Sequence, residues 1–265
     1  MRSPRPVLRP RVSVPLIGRY GAQSTPDPDG SGSGSGAVRP GRLADQLTWL
    51  VGRGMRGVSV GELLAAVASG AGYGLVGLTF DDPDPDFATQ VVPRLDAVGF
   101  TATVFVVAAE LGVPGQPDTG SPQLPRSPQL PRSPRPARSL RDGRQILDLH
   151  RRGFEIGISG GYHRGPSPLT LAGASAELVA NRQVLEQVLG ERVQGLAYPT
   201  AEVDDTVEQA AAAAGYRYAC LPGRSRRPNM FALPRVRIGP QDGAIRFRAK
   251  VHQHGLTSRR LELVP

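Results

Sequence analysis

The sequence predicts an α/β fold with a mainly parallel sheet, built from about seven strand–helix units and therefore close to a barrel. Three observations carry this reading. Leu75 to Phe80 (L-V-G-L-T-F) is an apolar run that ends abruptly in charge, the pattern of a strand buried on both faces. Thr101 to Val107 (T-A-T-V-F-V-V) is the clearest β-branched run in the chain. Segments with helical spacing alternate with such runs along most of the length.

Taken in order, residues 1–11 are Pro/Arg-rich and form a disordered basic tail, and Val12 to Ile17 reads as a short strand. Ser24 to Gly36, with P-D-P-D-G followed by S-G-S-G-S-G, is a flexible loop. Leu43, Leu47, Leu50 and Val51 share one helical face, and Gly54 is a stop. Val58 to Val60 forms a brief strand, and Glu62 to Val67 opens a second helix. After Leu75–Phe80 comes a helix over Phe87 to Val98, with Val91, Leu95 and Val98 on one side. Thr101–Val107 follows.

Residues 112–139 break the pattern. They carry S-P-Q-L-P-R twice and then S-P-R-P-A-R-S, which cannot pack a core, so this segment is a disordered insertion in a surface loop. Alternation then resumes. Leu140 to Arg152 is a helix and Phe154 to Ile158 a strand. Ala174 to Leu189 is a helix closed by Gly190, and Val193 to Tyr198 a strand. Val203 to Ala214 is a helix stopped by Gly215, and Tyr216 to Leu221 a strand. Phe231 to Ile238 and Ile245 to Val251 read as closing strands. One domain thus spans 12–251, and 252–265 form a C-terminal tail.

Composition narrows the function. Lys+Arg 32 against Asp+Glu 23 gives a net charge of +9, yet Lys250 is the only lysine. Arginine rises together with Ala, Gly and Pro, which points to coding bias, and only 5% of residues are aromatic, so a nucleic-acid partner is not expected. The single cysteine, Cys220, excludes an intramolecular disulfide and a cysteine-rich zinc site; it reads as a buried thiol. The amino terminus lacks the apolar run of a secretory signal, and no run is long enough for a spanning helix. The expectation is a cytoplasmic protein without a membrane partner.

In parallel α/β folds, chemistry gathers at the carboxyl ends of the strands. Leu75–Phe80 is followed by Asp81, Asp82, Pro83, Asp84, Pro85 and Asp86. Asp84 and Asp86 suit a helix N-terminus. Asp81 and Asp82 exceed what one cap needs and suit a general base beside a metal ligand. Phe154–Ile158 is followed by Ser159, Gly160, Gly161, Tyr162 and His163. There His163 is either a metal ligand or an ordinary loop histidine. His252 and His254 would face one side of a strand, as a metal pair or as an exposed edge. His150, on a helix, is a surface residue.

These motifs resemble the polysaccharide deacetylase (NodB-homology, carbohydrate esterase 4) family. The resemblance rests on Thr79-Phe80-Asp81-Asp82, on Gly153-Phe154-Glu155-Ile156-Gly157 running to His163, and on Leu196-Ala197-Tyr198-Pro199. Gln46 to Leu50, Val58 to Leu64, Gly99 to Phe105 and Leu233-Pro234-Arg235-Val236 extend it. It implies a distorted (β/α) barrel and metal-dependent removal of N-acetyl groups from amino sugars. Carried over by position, Asp81 is the general base, and Asp82 and His163 bind a divalent metal, zinc by expectation. The backbone N–H of Thr200 donates to the oxyanion, and Tyr198 and Pro199 contact substrate. The chain departs from the pattern around Ile17, Gly18 and Arg19, where a family histidine motif is replaced. It departs also in the late histidine that would be the general acid, for which only His252 or His254 are candidates, and at three further positions. Ser159 stands at the position of a family histidine ligand. Ala197 stands where an arginine is frequent. Pro83 replaces a glycine and is expected to push Asp82 towards extended backbone. Two functions follow: an N-deacetylase with impaired activity, or an inactive protein of the same fold that binds carbohydrate or a protein partner.

Overall fold

The computed structural model describes residues 17–21, 38–83, 86–108, 111, 142–160, 171–200 and 203–257. The tail 1–11, the Ser24–Gly36 loop and the insertion 112–139 lie outside the described residues.

The strands are β1 (Ile17–Gly21), β2 (Arg56–Val58), β3 (Leu75–Asp81), β4 (Thr103–Val106), β5 (Glu155–Ser159), β6 (Gly195–Ala197), β7 (Tyr218–Cys220) and β8 (Val236–Ile238). They form one sheet in the order β7-β6-β5-β4-β3-β1-β8, with every pairing parallel. β2 pairs with the first part of β3, on the edge that β4 takes further along, and β1 lies on the opposite edge from Gly77 to Asp81. The two ends of the sheet meet. Leu233 bridges Cys220 in parallel, and its flanking backbone bonds run Leu233 N to Ala219 O (2.9 Å) and Leu221 N to Leu233 O (2.8 Å). The same stretch then enters β8, so the sheet curls round into a distorted parallel barrel, as the sequence predicts.

The helices are α1 (Pro40–Gly52), α2 (Val60–Ala68), α3 (Phe87–Gln90), α4 (Val92–Asp96), α5 (Gly143–Arg151), α6 (Leu171–Leu189), α7 (Asp205–Ala213) and α8 (Ala244–Thr257). Side-chain caps set the starts of α2 and α7. Ser59 accepts from Glu62 N at 3.1 Å for α2, and Asp204 accepts from Val207 N at 3.0 Å for α7. Helix α1 buries Leu43, Leu47 and Leu50, whereas Val51 is exposed.

The core has two layers. The larger lies between sheet and helices and includes Tyr20, Phe80, Phe87, Leu95, Phe154 and Leu178. The smaller fills the barrel with Phe105, Ala197, Tyr218, Cys220 and Leu233, and Val58, Val60, Leu63 and Leu64 pack beneath it. Gly157 makes room for this filling. A Cβ there would stand 2.7 Å from the Phe105 ring and 2.9 Å from Gly195 O, so any side chain would displace Phe105.

Three elements differ from the sequence reading. The first described strand begins at Ile17, where the predicted strand ends; Val12 to Pro15 and Leu16 lie outside the described residues. The helix over Phe87 to Val98 is two short helices, because Pro93 has no N–H with which to continue the ladder. Ile245–Val251 is the first part of α8, not a strand. Its alternation of Ile245, Phe247, Ala249 and Val251 suggests a period of two, but only Phe247 and Val251 are buried, at helical spacing, while Ile245 is 84% exposed. His252 therefore sits on a helix, edge-on to Trp49, and a same-face strand pair with His254 does not exist.

Candidate active site

Parallel pairing brings the ends of β3, β5 and β6 to one rim. Asp81 closes β3 in register with Phe105, which is in register with Gly157 of β5. Ser159 lies two residues further along β5, paired with Ala197 of β6. Beyond the strands the ladder continues for one more bond each: Asp82 N to Phe105 O, Gly160 N to Ala197 O, and Tyr198 N to Cys220 O, all 2.9 Å. Asp81, Asp82, Ser159, Pro199 and Thr200 thus share the carboxyl rim, where the sequence places them. His163 lies outside the described residues.

Asp81 is held by Arg235. Its Oδ1 accepts from Nη1 at 2.6 Å and its Oδ2 from Nη2 at 2.9 Å, a planar two-point grip. The guanidinium is itself fully buried, while the Asp81 side chain keeps 9% exposure. Nε donates to Leu221 O at 2.8 Å, Nη1 also reaches Thr79 Oγ1 at 3.2 Å, and the group lies 5.4 Å from the Phe105 ring centroid. A buried charge of this kind is tolerated only when paired and hydrogen-bonded, and both conditions are met. The pairing also fixes the plane of the Asp81 carboxylate at the rim.

In the sequence Arg235 is visible only as part of the Leu233-Pro234-Arg235-Val236 motif, with no role attached to it. The signal was available: an arginine inside an apolar strand-like run needs a buried anion, and Asp81 is a buried anion needing a cation. Arg235 also stands next to the closing bridge at Leu233, so the segment that seals the barrel delivers the counter-ion to the base position.

Two expectations change. Asp82 is not extended: its φ is +47°, in the left-handed region, so the chain turns sharply between β3 and Pro83. Aspartate tolerates this better than most residues because its short side chain can bond locally. Tyr198 does not face the rim. It is 3% exposed and belongs to the layer under the helices, where burial and the Glu208 charge push its hydroxyl well above the ordinary tyrosine range. Pro199 and Thr200, by contrast, are exposed.

Whether these residues suit a metal is a matter of donors. Asp82 and Ser159 offer one carboxylate and one neutral hydroxyl, whereas catalytic zinc takes three protein ligands from His, Cys and carboxylate groups. Among the described residues no three His, Cys, Asp or Glu side chains converge on one point. The described donors therefore do not fit a zinc centre by themselves.

At the opposite end of the barrel a second polar cluster sits around Glu155. Its Oε1 accepts from Tyr218 Oη at 2.8 Å, and its Oε2 from Thr103 Oγ1 at 2.7 Å and from Gly61 N at 2.9 Å. Thr103 Oγ1 accepts in turn from Val60 N at 2.8 Å. The carboxylate thereby pins the first turn of α2 across the amino end of the barrel, where the helix dipole favours it. Cys220 lies between the two clusters, buried, with its thiol pushed up to about 12.

A family model described as polysaccharide deacetylase matches residues 70–219, more than half of the chain, from just before β3 into β7. The chain belongs to the polysaccharide deacetylase family. Arg235 lies beyond the matched residues. The fold of this family member is shared with solved structures at low identity. The Streptococcus pyogenes deacetylase PplD, in complex with acetate, is 20% identical with a TM-score of 0.72, covering 90% of this chain and 98% of its own. A polysaccharide deacetylase from Bacillus cereus is 17% identical with a TM-score of 0.68, covering 91% and 69%. IcaB from Ammonifex degensii is 17% identical with a TM-score of 0.65, covering 92% and 98%. No curated protein matches the chain.

Proposed function

We propose that this polysaccharide deacetylase family member acts on N-acetylated amino sugars, with Asp81 as the base that deprotonates the attacking water. The observation that carries the reading is the Asp81–Arg235 pair: a carboxylate oriented at two points, at the carboxyl rim of a parallel barrel, with slight access to solvent. On the same rim the exposed turn at Pro199 and Thr200 would carry the backbone N–H that meets the developing oxyanion, a role that needs no particular side chain. A divalent metal would draw on Asp82 and His163. With a serine at the third position, its affinity is expected to be low and turnover reduced.

The same donor set favours a second reading, in which the chain binds an amino-sugar polymer without turning it over. Acetate release from an N-acetylglucosamine oligomer, measured with added zinc or cobalt, separates the two. Slow release by the unmodified chain, abolished in Asp81→Asn, supports the hydrolase. Binding of the oligomer with no release above that variant supports the binding protein. Release that survives Asp81→Asn unchanged removes Asp81 from the chemistry.

A further inference from the structure

Trp49, the only tryptophan of the chain, lies on α1 with its ring turned towards α8. Arg53 Cζ stands 5.8 Å from the indole centroid and Arg248 Cζ 5.9 Å, so two guanidinium groups converge on one ring. Phe247 and His252 meet the same ring edge-on at 5.7 and 5.9 Å. Both arginines are exposed, and among the described residues neither has a carboxylate within ion-pair distance. Lys250, nearby on α8, is already taken by Asp242 at 2.6 Å, and Asp45 is an exposed acid one turn before Trp49. Two like charges held against one aromatic ring repel each other, and an external anion relieves that repulsion.

Beside this pair stands an apolar anomaly. Ile245 is 84% exposed and shares a helical stripe with Arg248 and His252 at i, i+3 and i+7. Arg246 is exposed on the same turn. A cationic stripe with an exposed branched aliphatic residue and an indole is the composition of a helix lying at a lipid interface, where phosphates meet the guanidinium groups and the aliphatic chain enters below them. A sugar polymer would leave Ile245 uncovered, and the guanidinium groups and ring edges already crowd the indole against stacking.

We infer that the α1–α8 face, centred on Trp49, Arg53, Arg248 and Ile245, docks this protein on an anionic lipid surface. This is surface contact, not a span: no described helix is long and apolar enough to cross a membrane. The inference is independent of the catalytic reading.

The full chain is mixed with phosphatidylcholine vesicles with and without phosphatidylglycerol, and co-sedimentation is read together with tryptophan emission. Because Trp49 is the sole tryptophan, its emission reports this face alone. Binding confined to anionic vesicles, with a blue shift, is expected. Arg53→Gln/Arg248→Gln should lower the partition coefficient about tenfold or more, since each arginine near such a surface contributes about 1 kcal/mol. Ile245→Asp should also lower it, and an unchanged circular dichroism spectrum confirms that each variant is folded. Arg224→Gln/Arg226→Gln removes the same charge elsewhere and should have little effect. The inference is overturned by equal binding to neutral vesicles, by sedimentation without an emission change, by equal losses in the two double variants, or by an emission response to inorganic polyphosphate but not to vesicles.

Discussion

Arg235 reaches Asp81 across 154 residues of sequence and meets both of its carboxylate oxygens, at 2.6 and 2.9 Å. The pair couples the seal of the barrel to the candidate catalytic carboxylate, so stability and function share one contact. Removing only the cation should strand a buried anion. Arg235→Met is expected to cost about 3–5 kcal/mol in urea denaturation, and Asp81→Leu/Arg235→Met to recover most of it. If the single and double variants are equally destabilised, the loss lies in packing around Phe105 rather than in the ion pair.

Glu155 makes the same kind of demand at the other end of the barrel. Glutamine keeps the shape but offers one acceptor oxygen where three donors converge. Glu155→Gln is expected to lower stability by about 1–3 kcal/mol. Tyr218→Phe, which removes one donor and leaves two, should cost less. Hydrogen exchange should show the loss first at the amides of Val60 and Gly61, which the cluster holds directly. Protection unchanged there would mean that α2 is anchored by Leu63 and Leu64 instead.

Burial of Cys220 sets an alkaline limit. Its thiol is pushed from 9.0 to about 12, so the folded chain keeps the proton where the unfolded chain loses it. A group whose pKa is raised by folding contributes fully below its unfolded value and loses that contribution as pH rises towards the folded one. Stability should therefore fall above pH 9.0 by up to about 1.4 kcal/mol per pH unit. The slope should steepen past 10.0, where buried Tyr20, Tyr198, Tyr216 and Tyr218 add their own raised values. Denaturation midpoints at about pH 8 and about pH 10.5 test this. Cys220→Ala should remove the part of the slope that begins at 9.0, and an unchanged slope would assign it to the tyrosines alone.

Most of the fold is legible in the sequence because a parallel sheet covered on both faces leaves long apolar runs. Leu75 to Phe80 and Thr103 to Val106 are such runs, and glycines with positive φ at Gly54, Gly190 and Gly215 mark where helices stop. What is not legible depends on partners distant in sequence. The alternation from Ile245 to Val251 fits a strand until α1 supplies a groove for Phe247 and Val251 at helical spacing. The rim residues Asp81, Asp82, Ser159 and Thr200 are legible because strand ends are. Arg235 is not, because its meaning appears only when the chain returns beside β7. Tyr198 is misjudged for a simpler reason: a residue one step beyond Ala197 points to the other face of the sheet.

The last expectation concerns Ser159. It ends β5 at the rim, where it is only partly buried, and is followed by Gly160 at φ +79°, where the chain leaves the strand. Ser159→His should therefore fold normally, with a thermal midpoint within a few degrees of the unmodified chain. It adds an imidazole on the rim that already carries Asp82, and with His163 would raise the donor set to the three ligands of a catalytic zinc. Competition with a fluorescent zinc chelator should show affinity rising by about an order of magnitude or more, since even the loss of supporting groups around a metal costs 10–100-fold. Asp82→Asn in the same background should reverse the gain. If the unmodified chain already binds zinc stoichiometrically and tightly, Ser159 is not a missing ligand. If Ser159→His gains nothing, the left-handed turn at Asp82 holds its carboxylate away from position 159.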